Sequence, residues 1–231
     1  SAKGVLSNLG GVPKAAGLSF KAETNDINGV LRVAGVGAMA SLKGLGPIKA
    51  SGRVDGSLLA SKLKINVAGA GATATVYGQL DGLALVPAVK KLTLQIKAKD
   101  TTKLLKLAGI KAVSAKQLGA VTVSGVIDGN LLAPSVALDV KAAGGTAALS
   151  GKINTLPIGD TLDMSVRIRH PDLARLMRTL GGYRPAGKVG KLDIQARLRG
   201  GAKGVSLTGL SVKAGSVALS GDVVVGLSGP K

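Results

Sequence analysis

A pattern that occurs three times along the chain limits its fold more than any other feature of the sequence. An aspartate, two apolar residues four and five positions later, and a glycine nine positions later recur in residues 26–35, 100–109 and 172–181. The offsets are 74 and 72 residues, and self-similarity at such a period indicates stacked structural units. The predicted organisation, all of it one continuous structure, is a tail of a preceding repeat at residues 1–17 and repeats at 18–90, 91–160 and 161–231.

One short α-helix is predicted at the start of each repeat. In the third copy, Pro171 can take the first helical position and Asp172 lies in the first turn, where a negative charge is favourable. Gly181 is placed to end this helix in a left-handed conformation. The apolar stripe of the third copy comprises Leu173, Leu176, Met177 and Leu180. Helices of about ten residues are marginal alone, so we expect them to pack on a sheet.

The remainder of each repeat alternates apolar and polar residues, which predicts β-strands with one apolar and one polar face. The alternation is strict in residues 63–67, 92–97, 162–169 and 192–199. Asp-Gly pairs at 55–56, 81–82 and 128–129 predict hairpin turns. The chain is therefore predicted to be mainly β, as antiparallel meanders with one short α-helix per repeat.

The apolar strand faces contain almost no aromatic side chains. The whole chain has one Phe and two Tyr, and no Trp or Cys. Two interpretations stay open: a closed β-solenoid or sandwich with a structural or adhesive role, and an elongated curled sheet whose open β-groove faces acyl chains. In the second, alternation predicts a lining of Leu92, Leu94, Ile96, Val121, Val123, Met164, Val166, Ile168, Leu192, Ile194 and Leu198. A register error of one residue would move them to the other face.

The polar strand faces are strongly basic. Lys and Arg total 31 against 12 Asp and Glu, a net charge of +19 that attracts anions. Single-stranded nucleic acid would need aromatic stacking platforms that three aromatic residues cannot supply. Duplex binding through phosphates stays possible, but a solvated basic face is the simplest interpretation, so no specific nucleic-acid partner is expected. The cations at polar strand positions include Lys49, Lys64, Lys97, Lys99, Arg167, Arg169, Arg197 and Arg199.

The candidate catalytic motifs lack the neighbouring residues and the order of helix and strand that their chemistry requires. Residues 182–188 spell G-x-x-x-x-G-K, but Val189 follows where a P-loop has Ser or Thr, and the segment runs from helix to strand. His170 is the only histidine, and without Cys or a carboxylate cluster it predicts no metal site. No pair of carboxylates indicates acid–base chemistry. We expect no enzymatic activity and no cofactor.

The third repeat resembles the C-terminal region of AsmA-family proteins. The resemblance is carried by residues 162–169, 171–181, 192–200, 207–213 and 217–222, in the order strand, D-L-x-x-L-x-x-L-G, strand. AsmA-like proteins are anchored in the inner membrane of Gram-negative bacteria by an N-terminal helix and extend into the periplasm. They resemble bridge-like lipid-transfer proteins, with a long curled sheet whose apolar trough is proposed to carry phospholipid.

This resemblance implies a function and a location. It implies a periplasmic β-groove segment that binds or conducts phospholipid between the inner and outer membranes and contributes to outer-membrane assembly. The partners would be phospholipid acyl chains, membrane surfaces in the full-length protein, and further repeats or envelope proteins in end-to-end contact. The anchor to the inner membrane is lacking here, so we expect this chain to be a segment of a longer protein.

Overall fold

The protein is a single antiparallel sheet of thirteen strands that follow one another in chain order. The computed structural model describes residues 1–26, 46–57, 59–82, 87–99, 101–102, 105, 115–154, 161–186, 189–201 and 204–226. The expected mainly β, antiparallel character is confirmed. The strands are β1 (Ala2–Ser7), β2 (Lys14–Thr24), β3 (Ile48–Ser57), β4 (Ala60–Gly69), β5 (Ala72–Asp81), β6 (Ala88–Ala98), β7 (Val121–Asn130), β8 (Ser135–Ala142), β9 (Gly145–Ile153), β10 (Leu162–His170), β11 (Leu192–Gly201), β12 (Gly204–Ala214) and β13 (Val217–Gly226).

The sheet is open: β1 and β13 form its two edges and do not pair with each other. Within the described residues, substantial strand contacts join only sheet neighbours, so no second sheet covers either face. The chain exposes 14918 Å², whereas a compact monomer of 22.8 kDa exposes about 9,600 Å². Among the described residues only five apolar side chains are buried: Val89, Ala98, Leu105, Val136 and Met164.

Strand register divides the side chains between two faces, because directly opposed residues of an antiparallel pair lie on the same side. Leu149 of β9 lies opposite Leu138 of β8 and Val166 of β10. We call this side the apolar face. Arg167 lies opposite Ala148 and Gln195 on the other side, which we call the polar face. Side chains of the apolar face are mostly half-buried, and those of the polar face are mostly exposed.

Three β-bulges interrupt this register, in β2, β6 and β12. Each contains a residue with a left-handed backbone whose N–H donates to an aspartate on the following strand. The pairs are Gly17 with Asp55 at 2.6 Å, Lys91 with Asp128 at 2.9 Å, and Gly209 with Asp222 at 2.7 Å. The carboxylate satisfies an amide that the ladder leaves unpaired.

These bulges explain why two hairpin predictions are wrong. Asp55-Gly56 lies within β3 and Asp128-Gly129 within β7, where each aspartate accepts from a bulge on the neighbouring strand. Only Asp81-Gly82 stands at a strand end. Each of these two hydrogen bonds joins residues more than thirty positions apart in the sequence, so the Asp-Gly pair by itself does not reveal it.

Two tight turns occur where the sequence has Ala-Gly. Ala70 and Gly71 join β4 to β5 with φ of 54° and 78°, and Ala143 and Gly144 join β8 to β9 with φ of 52° and 81°. Positive φ at both central residues is the geometry that favours Asn-Gly in two-residue hairpins. Alanine gives no such signal, and it holds this conformation at a cost of about 1–2 kcal/mol.

Replacing one of these alanines provides a stability prediction. Ala70→Asn is expected to raise the free energy of unfolding by about 1 kcal/mol, because asparagine tolerates the left-handed conformation better than alanine. Urea denaturation followed by circular dichroism measures this. Ala68→Asn, at an exposed strand position two residues earlier, is the control and should give no gain. An equal response of the two variants would contradict the assigned turn geometry.

The long connections follow β2, β6 and β10. These strands run in the same direction, because the sheet is antiparallel and its strands follow chain order, so the connections begin at the same rim. The β6–β7 connection contains α1 (Ala115–Leu118), and the β10–β11 connection contains α2 (Leu173–Gly181). Asp172 is the N-cap of α2 and accepts from the Arg175 N–H at 2.9 Å. Pro171 therefore precedes the cap instead of starting the helix, and Gly182, not Gly181, adopts the left-handed conformation after it.

One helix per repeat is not confirmed. The helix predicted at 26–35 lies almost wholly outside the described residues. In the second copy, only Thr101, Thr102 and Leu105 are described, with the Leu105 N–H donating to the Thr101 carbonyl at 2.9 Å. Only α2 shows the predicted helix. The repeat boundaries stay predictions, and the sheet continues through 17–18 and 90–91, inside β2 and β6.

Candidate functional site

The register places all eleven predicted lining residues on the apolar face. Val123 of β7 lies opposite Val140, and Ala147 lies opposite Ile168, which in turn lies opposite Ile194. The predicted residues are distributed over four strands: Leu92, Leu94 and Ile96 on β6, Val121 and Val123 on β7, Met164, Val166 and Ile168 on β10, and Leu192, Ile194 and Leu198 on β11. They form two groups that do not touch, because β8 and β9 lie between them.

The sequence reasoning missed the strands that join the two groups. On β8 and β9, the apolar face carries Val136, Leu138, Val140, Ala147 and Leu149. Residues 135–142 also alternate apolar and polar side chains, and this signal identifies them as a strand of the same face. With them, the apolar face continues without interruption from β6 to β11.

Within β6 to β11 the apolar face offers aliphatic side chains and a single polar one, His170. Its side chains differ in exposure: Met164 is buried, whereas Ile168 is 37% exposed and Leu219, on the edge strand β13, is 63% exposed. The small residues Ala50, Ala98, Gly125 and Ala196 also lie on this face, as alternation predicts. Such a surface can exclude water from an apolar ligand but gives it few directional contacts.

The larger depressions of the described surface do not mark the apolar face. Volumes of about 560, 460 and 490 Å³ lie between side chains of the polar face, and one of about 500 Å³ lies beside α2, between residues such as Arg178 and Arg184. The apolar face is an open surface, apart from a cavity of about 110 Å³ where Leu176 of α2 meets Val140, Ala147 and Ile168. The helix thus places an apolar side chain over the end of this face.

His170 has a structural position at the same rim. Its ring is buried, its Nδ1 accepts from the Asp172 N–H at 3.1 Å, and its Nε2 lies 3.0 Å from the Ala143 carbonyl oxygen. Nδ1 is therefore the acceptor and Nε2 the donor, which ties the β8–β9 turn to the start of α2. Among the residues that the structure describes, no three His, Cys, Asp or Glu side chains form a possible metal site.

Paired charges stabilise the polar face of β10 and β11. Arg197 donates its Nε and Nη2 to Asp163 at 2.6 and 2.7 Å, and Arg167 donates its Nη2 to Asp193 at 2.7 Å. The segments 162–169 and 192–199 share the pattern L-D-x-x-x-R-x-R. Antiparallel pairing of two such segments sets an aspartate against an arginine at both ends.

Arg197 and Arg199 lower the pKa of the Asp163 carboxyl group. Hydrogen bonding from Arg197, with the charges of Arg197 and Arg199, lowers the pKa of Asp163 from 3.8 to about 2. Because the folded-state pKa is lower than the unfolded one, ionised Asp163 stabilises the fold above about pH 4. That stabilisation is lost as the pH falls through about 2.

A carboxyl-carbon NMR titration tests this assignment. Asp163 is expected to titrate with a midpoint near pH 2, and Arg197→Gln should move the midpoint upward toward 3.8 because its main hydrogen-bond donor is gone. A midpoint already near 3.8 in the unsubstituted protein would contradict the paired geometry.

Comparison with known proteins gives no match: no protein-family model, no curated protein and no solved structure is similar to this chain. In the described part of the chain, none of the helices has the length and apolar character needed to cross a bilayer.

Proposed function

We propose that this chain is an AsmA-like β-groove segment whose apolar face binds phospholipid acyl chains. The observation that carries the proposal is an apolar face continuous over the strands of an open sheet, with no second layer on it among the described residues. Water-exposed aliphatic surface is costly at about 25 cal/mol per Å², so a ligand that covers it gains binding free energy.

The dimensions of the sheet suit a lipid. Strands spaced about 4.8 Å apart give thirteen strands a length of roughly 58 Å along the sheet. Each strand of ten residues spans about 33 Å across it. The apolar face is therefore larger than one phospholipid. Full burial contributes about 0.8 kcal/mol per methylene group, so an acyl chain that is only half covered can still bind.

The sequence resemblance supports the wider role. In that role the full-length protein is tethered to the inner membrane and lies in the periplasm. It conducts phospholipid between the two membranes and so contributes to outer-membrane assembly. Acyl chains and membrane surfaces are its partners, and further repeats or envelope proteins extend the groove end to end. Low lipid specificity is expected, because an aliphatic surface makes no directional contacts. The proposal includes no enzymatic step.

Native mass spectrometry of the purified chain, followed by solvent extraction and lipid analysis, tests the proposal. We expect adducts with phospholipid masses and recovery of phospholipid in the extract. A mass of the chain alone, with no uptake from added liposomes, would contradict lipid binding and would favour a structural role.

A further inference from the structure

Two of the three depressions on the polar face lie far apart in the sheet and are of similar size. The first, of about 460 Å³, lies over β1 to β4, and the second, of about 490 Å³, lies over β9 to β12. The first is lined by the polar side chains of Lys3, Ser19, Lys21, Ser51, Arg53, Lys64 and Asn66. The second is lined by Ser150, Ser165, Arg167, Gln195, Arg197 and Thr208.

Both depressions have the same construction. In the first, Ser19 of β2 lies directly opposite Arg53 of β3, and Lys21 follows two residues later on the same face. In the second, Ser165 of β10 lies directly opposite Arg197 of β11, followed in the same way by Arg167. A serine hydroxyl thus lies opposite an arginine and two residues from a second cation on its own strand, at two places eight strands apart.

Each central arginine is held by one carboxylate. Arg53 donates Nε and Nη2 to Asp55 at 2.7 and 3.4 Å, and Arg197 donates the same two groups to Asp163 at 2.6 and 2.7 Å. A guanidinium carries five N–H groups, so three remain on each side chain. Within the described residues those three have no other hydrogen-bond partner, and the carboxylate orients them before a ligand arrives.

Positive charge is in excess at both depressions. The lining of the first contains four cationic side chains and no carboxylate. Around the second, four arginines share two aspartates: Arg167 and Arg169 pair with Asp193, and Arg197 and Arg199 pair with Asp163. Oriented guanidinium groups next to hydroxyl donors suit a phosphate group, which accepts bidentate hydrogen bonds.

The chain provides an internal comparison between the two depressions. At the corresponding place on β6 and β7, Thr93 lies opposite Val126 and Gln95 lies opposite Ser124. No cation occupies these four positions, although their residues are directly opposed in the same way as those of the two depressions. The cation pairs are therefore not required to form a strand pair of this kind.

We propose that each depression is a binding site for one phosphate group. The first anion site consists of Ser19, Lys21 and Arg53, and the second of Ser165, Arg167 and Arg197. The ligand is a phosphate ester, either a soluble one or the headgroup of a lipid in a membrane surface. Both sites lie on the face opposite the acyl-chain surface, so this inference does not depend on the proposed lipid groove.

Titration calorimetry with glycerol 3-phosphate tests the soluble source, and flotation with phosphatidylcholine vesicles containing phosphatidic acid tests the lipid source. We expect binding to one or both probes, with a stoichiometry of two for the soluble ester. Binding to only one probe identifies the source. Binding to neither at 150 mM salt would overturn the proposal.

Substitutions distinguish specific binding at the two anion sites from non-specific attraction to a basic surface. Arg53→Lys with Arg197→Lys keeps the net charge but removes the oriented guanidinium, and we expect at least tenfold weaker binding. Lys97→Gln with Lys141→Gln removes two exposed charges from the same face outside both sites, and we expect less than a threefold change. If the lysine substitutions weaken binding more than the arginine substitutions do, affinity follows net charge alone, and this result would overturn the proposal. Circular dichroism establishes that the variants fold.

Discussion

Val166→Glu together with Ile194→Glu is expected to abolish lipid retention while the β-sheet signal in circular dichroism persists. Both side chains lie half-buried on the apolar face, on adjacent strands β10 and β11. A carboxylate at each position would have to be desolvated beneath an acyl chain, which costs several kcal/mol unless it is paired. Retained fluorescent phospholipid after gel filtration should fall at least tenfold.

Val126→Glu together with Ala137→Glu is the matched control. These residues lie opposite each other on the adjacent strands β7 and β8, and the substitution adds the same charge, but their side chains are exposed on the polar face, outside both anion sites. Lipid retention should be unchanged. Equal losses in the two double variants would contradict the assignment of faces. Unfolding of the first variant alone would indicate a packed protein core in place of a lipid surface.

Gly151→Val is expected to lower the free energy of unfolding by about 3 kcal/mol, the upper range for overpacking. Gly151 lies on the apolar face of β9, opposite Val136 and Met164. A Cβ atom there would overlap the Asp163 carbonyl oxygen and lie 2.7 Å from the Met164 Cα, both of them backbone atoms that cannot move aside. Chemical denaturation measures the loss.

Gly221→Val controls for the loss of glycine itself. Gly221 lies on the apolar face of the edge strand β13, and a Cβ atom there has nothing within 4 Å. We expect a change within about 0.5 kcal/mol. A similar cost at both positions would show that the close approach of β9 and β10 is not what requires glycine.

Two other glycines approach a neighbouring strand in the same way. A Cβ atom at Gly4 of β1 would lie 2.5 Å from the Leu18 Cα, and one at Gly78 of β5 would lie 2.7 Å from the Leu92 Cα. Gly4, Gly78 and Gly151 therefore recur at intervals of four strands.

The strands and their faces could be predicted because period-2 alternation reports directly on which side of a sheet a residue lies. Leu162 to Arg169 shows this: every apolar residue of that segment is on the apolar face. Helix α2 could be predicted because its cap, apolar stripe and terminal glycines are local signals.

Other features depend on contacts between residues that are distant in the chain, and no local sequence signal indicates them. Asp55 resembles a turn residue until the bulge at Gly17 is known, and Ala70 resembles a strand residue although it forms a turn. The paired arginines of β10 and β11 were identified as polar-face cations, but their partners follow from register. Alternation also fits a sandwich equally well, so the open sheet could not be derived from it.

The central claim, that acyl chains lie on the apolar face, is tested most directly by cross-linking with a phospholipid that carries a diazirine on its acyl chain. The account predicts that cross-linked peptides map to alternate residues of β9 and β10, such as Leu149 and Val166. The intervening Ala148, Ser165 and Arg167 should remain unmodified. Equal labelling of neighbouring residues along a strand, or labelling confined to the polar face, would contradict it.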